Sequence, residues 1–124
     1  MSKKNKSLDD FVENIMTLLV EKKAEKMVVY RPNDQSLTDY IILLTAKNRI
    51  HCQSLQAEVN HWCKDIPSFE DIEYFWPLQL SGKAEGGWLV LDLNSIVIHI
   101  MIEEIRDFYD LDALFQERSK VVQY

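Results

Sequence analysis

His51, Cys52, His61 and Cys63 are the residues of this chain that most invite chemistry, since imidazoles and thiolates are the usual ligands of zinc. They fall between Asn48 and about Lys64, where Cys52, Leu55, Val59, Trp62 and Cys63 recur as the inner face of one helix. Cys52 and Cys63 share that face, yet at 1.5 Å per residue they stand ~16 Å apart along the axis. Zinc ligands must converge within ~2.3 Å of one ion. The four residues therefore cannot form one site, and an intact helix forbids a Cys52–Cys63 disulfide. They read as two buried thiols and two surface histidines.

Asp110-Leu111-Asp112 is a second acidic candidate, of the kind that holds a metal for nucleotidyl transfer. That chemistry needs a loop to cradle phosphates. Gly82, Gly86 and Gly87 are the chain's glycines and cannot compose a dinucleotide fingerprint. Gly82 and Gly87 have the spacing of a P-loop, but Trp88-Leu89 follows where Lys-Ser/Thr is required. The acidic pair reads instead as the end of one helix and the N-cap of the next. No G-x-S-x-G elbow occurs, and no local motif pairs a Ser or Cys with a His. The residues name no catalytic group, no cofactor and no metal.

The elements that position these residues follow from periodicity. Ser7-Leu8-Asp9-Asp10 resembles a capping box, and Leu8, Phe11, Val12, Ile15, Leu18 and Leu19 form one apolar stripe to about Glu21 or Lys22. Met27–Tyr30 is a short strand ended by Arg31-Pro32-Asn33-Asp34, and Tyr40–Thr45 a strand covered on both faces. After the Asn48–Lys64 helix, the aromatics of Pro67–Leu80 are expected to pack, with a strand at Leu78–Leu80. Gly82–Gly87 is expected to be a loop. Trp88–Asp92 and Ser95–Met101 form a hairpin with Leu93-Asn94 in the turn, so that Trp88 faces His99 and Leu89 faces Ile98. Short helices are expected at Glu103–Tyr109 and Asp112–Lys120. The whole is one α/β domain over residues 1–124, a mixed sheet with flanking helices. Its core runs from about 8 to 115, with flexible tails at 1–6 and 119–124.

One face of the hairpin, Leu89, Leu91, Ile96, Ile98 and Ile100, is core. The other holds Trp88, Val90, Val97, His99 and Met101, and it reads either as a second core or as an interface, where Trp and Met are enriched.

Composition narrows the partners. The 124 residues are 47% hydrophobic and 27% charged, the balance of an ordinary globular domain, with a net charge of −6. Residues 1–64 carry +2 and residues 65–124 carry −8. Such a chain does not gain its affinity by neutralising phosphates, and its acidic half steers towards basic surfaces. No run approaches the ~20 apolar residues of a membrane helix. Asp9, Asp10 and Glu13 interrupt what would follow Lys3, Lys4 and Lys6 in an export signal. A cytoplasmic protein with reduced thiols is expected.

Several blocks in order carry a family resemblance: Ser36-Leu37-Thr38-Asp39-Tyr40, Trp88-Leu89-Val90-Leu91-Asp92, Ile96-Val97-Ile98-His99-Ile100-Met101, and Arg106 through Leu114. From about Leu8 to Phe115 the chain resembles the Iojap family, the ribosomal silencing factors called RsfS. It departs from that pattern at Ser81-Gly82, Ala46-Lys47-Asn48, Asn94-Ser95 and Phe115. The resemblance implies a fold similar to that of nucleotidyltransferases but without their catalytic acids. It also implies a non-enzymatic binder of the large ribosomal subunit at ribosomal protein fourteen, one that sterically blocks subunit joining, represses translation under starvation, and is often dimeric off the ribosome. On the family's pattern Trp88, Met101 and Tyr109 meet the partner, with Arg106, Leu111, Asp112 and His99 beside them. The alternative is a nucleotide-processing enzyme of the same fold. It would need a nucleotide and a metal.

Overall fold

The structure, a computed structural model, describes residues 3–34, 38–64 and 79–123. Helix α1 runs Lys3–Glu21 and is followed by strands β1 (Glu25–Pro32) and β2 (Tyr40–Ala46). Helix α2 (Arg49–Lys64) leads to β3 (Gln79–Lys83), a 3₁₀ turn at Ala84–Gly86, β4 (Trp88–Asp92) and β5 (Ile96–Ile102). Helices α3 (Glu103–Tyr109) and α4 (Leu111–Arg118) and strand β6 (Ser119–Val122) complete the order. The strands form one sheet in the order β3-β4-β5-β2-β1-β6. Among the described strands only the central β2–β5 pair is parallel. The expected mixed α/β sheet with flanking helices is what forms.

Helices α1 and α2 cover one face. The α1 stripe Leu8, Phe11, Val12, Ile15 and Leu19 is buried, and α2 adds Cys52, Leu55, Val59 and Cys63. They meet Leu89, Leu91, Ile96, Ile98 and Ile100 of the hairpin. Asn48 caps α2 by accepting the His51 N–H at 2.8 Å. Helix α1 ends in a Schellman arrangement, with Lys23 at φ 71° and the Ala24 N–H donated to the Leu19 carbonyl. The almost unbroken burial of β2 follows from its place between β1 and β5.

The thiols are buried as expected, and burial pushes the Cys63 thiol up to about 12. His51 is not a plain surface residue. It is half-buried, with Nδ1 accepting from the Lys47 N–H and Nε2 donating to the Lys22 carbonyl, so it ties α1 to the start of α2.

Four expectations are corrected. Helix α1 starts at Lys3 rather than after Ser7, because lysines are good helix formers and a capping box is only a local preference. Gly82 lies in β3, not in a loop, at φ 83°, where an added Cβ would fall 2.3 Å from the Trp88 carbonyl oxygen. The C-terminal helix stops at Arg118, and residues 119–122 of the supposed tail form β6, antiparallel to β1 with Pro32 opposite Ser119 and Val29 opposite Val122. Finally, the hairpin register is two residues away from the expected one: Trp88 pairs with Met101 and Val90 with His99. Leu93 is fully buried, so it cannot serve as an exposed turn residue. The reversal is a tight turn centred on Asn94 at φ 71°, with the Ser95 N–H donated to the Leu93 carbonyl and the Asn94 N–H to Asp92. A shift of two keeps every side chain on its expected face. Of the Pro67–Leu80 expectation, residues 67–78 lie outside the described residues.

Candidate partner-binding face

Helices α3 and α4 cover the sheet's second face over β1, β2 and β5, burying Tyr30, Leu43 and Met101. Met101 is 0% exposed, so the structure removes it from the surface where a partner could touch it. The reason is the register: opposite Trp88 on β5, it lies in the part of the sheet that these helices roof. Leu111 is half-buried against the same cluster.

Trp88 stays half-buried at the edge of this second core. Its ring packs against Tyr109 with centroids 4.9 Å apart, and Tyr109 in turn meets Phe108 edge-on at 4.9 Å. Its indole N–H donates to His99 Nδ1 at 3.1 Å. His99 also lies 6.0 Å from the Phe115 ring, which reaches Tyr30 at 5.8 Å. A continuous line of rings therefore runs from α3 across the sheet to α4. Burial lowers the His99 pKa to about 4, so its imidazole is neutral at neutral pH.

The outer end of that line is open, with Phe108 79% and Tyr109 52% exposed, and on α4 Leu114 is 43% exposed. Phe108 and Leu114 were not among the expected contacts. Phe108 was legible in principle, as an aromatic two positions beyond the inward Arg106 on a seven-residue helix whose other outward residues are Glu103, Glu104, Asp107 and Tyr109.

Arg106 and Asp112 form a largely buried ion pair. Arg106 is 7% exposed. Its Nε and Nη2 each donate to Asp112 at 2.9 Å, and Nη1 donates to the Lys26 carbonyl at 2.6 Å and to Thr45 Oγ1 at 3.1 Å. Tyr30 donates its hydroxyl to the same carboxylate at 3.1 Å. The hydrogen bonds from Arg106 hold the Asp112 carboxyl below its ordinary range, while burial pushes the Tyr30 hydroxyl up. Arg106 thus fastens the α3–α4 corner to β1 and β2. Asp110 makes the corner itself, closing α3 at φ 47° and accepting the Ala113 N–H of α4 at 3.4 Å. This is the capping role expected for it. Asp112 pairs with Arg106 rather than lining a metal site, and among the described residues no three His, Cys, Asp or Glu side chains converge on an ion.

An open cavity of about 640 Å³ lies between α3, α4 and β1, lined in part by Lys26, Tyr30, Arg106, Asp107 and Asp112. Its cations are already engaged, Lys26 with Glu103 and Arg106 with Asp112. Among the described residues no helix is long and apolar enough to cross a membrane.

Fold and site define a one-sheet α/β domain whose second face carries an aromatic surface rimmed by the acids of α3. Over residues 5–123 the chain matches the family model described as "Ribosomal silencing factor during starvation", RsfS, and it belongs to that family. It is 26% identical over 116 residues to a Caenorhabditis elegans protein, covering 91% of this chain and 60% of that one. It is 27% identical over 109 residues to mouse "Mitochondrial assembly of ribosomal large subunit protein 1", covering 87% of this chain and 46% of the mouse protein. The chain thus spans about half the length of these two relatives. It is also 24% identical over 102 residues to ribosomal silencing factor RsfS of Halalkalibacterium halodurans, covering 82% and 81% of the two chains. A crystal structure of a Bacillus halodurans protein superposes with a TM-score of 0.70 at 19% identity, covering 94% of this chain and 99% of that one. One from Chromobacterium violaceum gives 0.64 at 21%, covering 84% and 85%. These two likenesses show the fold.

Proposed function

We propose that this protein is a non-catalytic ribosomal silencing factor. It docks on the large ribosomal subunit at ribosomal protein fourteen and keeps the small subunit from joining. Family membership supports the silencing role, and the mouse relative, named for assembly of the ribosomal large subunit, supports the setting.

The observation that carries the docking surface is the exposed pair Phe108 and Tyr109, of which Tyr109 packs against the half-buried Trp88. Rigid aromatics set in a packed frame are what interface hot spots are made of. Glu104, Asp107 and Asp110 stand exposed around them, giving a negative rim suited to a basic ribosomal protein. Such a rim acts mainly on the rate of association and on the rejection of wrong partners. Arg106, Asp112 and Leu111 belong to the frame beneath, and Met101 to the core under it.

Co-sedimentation with purified large subunits tests the docking, and sucrose-gradient profiles of subunit mixtures test the block. The protein is expected to lower joining in proportion to occupancy, and to act best when added before the subunits meet. Higher salt should weaken binding without the steep dependence of a multi-phosphate contact. Occupied large subunits that still join at the parent rate would refute the steric reading. Off the ribosome the same reading includes self-association of this chain, which sedimentation velocity measures.

A further inference from the structure

At the centre of the aromatic face is one polar side chain whose hydrogen-bonding sense the structure determines. A neutral imidazole has one donor and one acceptor, and an indole nitrogen can only donate. Trp88 Nε1–H points at His99 Nδ1, 3.1 Å away, so Nδ1 is the acceptor and the ring proton sits on Nε2. The low pKa of His99 agrees with this geometry, because a neutral ring cannot become a double donor at neutral pH.

The ring is set in the middle of the sheet, between Val90 of β4 and Leu43 of β2, with Trp88 and Phe115 each 6.0 Å from it. No described residue accepts from Nε2. No side-chain nitrogen or oxygen among the described residues is both sealed from solvent and without a partner, so Nε2–H keeps a route outward to water. Next to it Val90, Val97 and Ile41 are half-buried on the same face, with the rings beside them, while Ser81 opposite Val90 and Asp92 opposite Val97 lie one position further out. A partner that closes over this face expels the water at Nε2, and an unmet donor in an apolar interface carries a full desolvation penalty.

We infer that His99 selects the partner's chemistry through Nε2–H, requiring an oxygen acceptor, a main-chain carbonyl or a side-chain amide or hydroxyl oxygen, opposite the centre of the aromatic face. The inference rests on the docking reading above and adds to it. The partner contributes basic groups at the acidic rim but not at the centre, where a Lys or Arg head would set N–H against N–H. Specificity then comes from one oriented donor in an apolar frame, the arrangement in which a missing hydrogen bond discriminates best.

Two measurements test this. Long-range ¹H–¹⁵N correlation spectra of the parent protein at pH 7 should show His99 as the Nε2–H tautomer; the Nδ1–H tautomer would overturn the inference without any variant being made. Co-sedimentation with purified large subunits is then compared for the parent, His99→Leu and His99→Gln, with circular-dichroism melts confirming that each is folded. Glutamine places an amide donor where Nε2–H was, so His99→Gln should bind within about 3-fold of the parent, whereas His99→Leu should lose about 5- to 100-fold. Equal binding by His99→Leu, or an equal loss in both variants, overturns the inference while leaving docking intact. A parent that shows the Nε2–H tautomer yet never sediments with large subunits overturns the docking reading and, with it, the partner inferred here.

Discussion

Replacing Arg106 with methionine keeps the aliphatic stem and removes the guanidinium from the α3–α4 corner. Four hydrogen bonds disappear: two to Asp112, one to the Lys26 carbonyl and one to Thr45 Oγ1. Losing one partner of a buried ion pair costs about 3–5 kcal/mol, because the remaining charge stays behind without compensation. The Asp112 side chain is 27% exposed and keeps its bond from Tyr30, so it can partly rehydrate, and the lower end applies, about 3 kcal/mol. With an unfolding entropy near 2.1 cal/mol/K per residue, a chain of 124 residues should melt about 12 °C lower. Urea titrations should give the same loss with an unchanged m-value. The ion pair also has a pH signature. Asp112 is held below its ordinary carboxylate range in the native state, so it contributes stability that is present above about pH 4 and lost as pH falls through its native value. Arg106→Met should lose that component of the acid transition. Combining it with Asp112→Leu should recover part of the stability, since no orphaned carboxylate remains. A single variant within about 1 kcal/mol of the parent would show the pair behaving as an exposed one and refute the reasoning.

Trp88→Ala should cost about 2–4 kcal/mol of large-subunit binding and, because the ring is half-buried on the second core, should also lower the melting temperature; melts read beside co-sedimentation separate the two, and unchanged binding would remove Trp88 from the site. His99 is depressed to about 4, so between about pH 6.5 and 4 the unfolded chain takes up a proton that the native ring refuses. Stability should be complete above that window and fall by at most about 3 kcal/mol as pH drops through it, a slope that His99→Leu should flatten in denaturant titrations. Lys23 ends α1 at φ 71°, where a side chain costs and glycine does not, so Lys23→Gly should stabilise by about 0.5–1 kcal/mol in urea melts. A destabilised variant would mean that the lysine side chain contributes more than its backbone conformation costs.

Local pattern decided much of this protein. The period of Leu8, Phe11, Val12, Ile15 and Leu19 is enough to make α1 and aim it, because a helix repeats its face every 3.6 residues whatever lies beyond. Alternation likewise sorted Leu89, Leu91, Ile96 and Ile98 from Trp88, Val90, Val97 and His99, and an error of two in the register left that sorting untouched. The family blocks name Trp88 and Tyr109 as expected contacts, and the absence of a phosphate loop in the sequence argues against the nucleotide chemistry that Asp110 and Asp112 alone would suggest.

Contacts between residues far apart in the chain were decided only by the tertiary structure. Ser119–Val122 is too short to show a period, and it becomes β6 because the open edge of β1 offers it hydrogen bonds. Whether Met101 is an anchor or a core residue depends on which helix roofs β5. Arg106 looks like one more charged residue of a short helix until Lys26 and Thr45, far earlier in the chain, come within reach of its guanidinium. The tautomer of His99 was decided by an indole eleven residues away, across the hairpin. Sequence periodicity records which way a side chain faces relative to its own backbone. What that face then meets is a property of the assembled sheet.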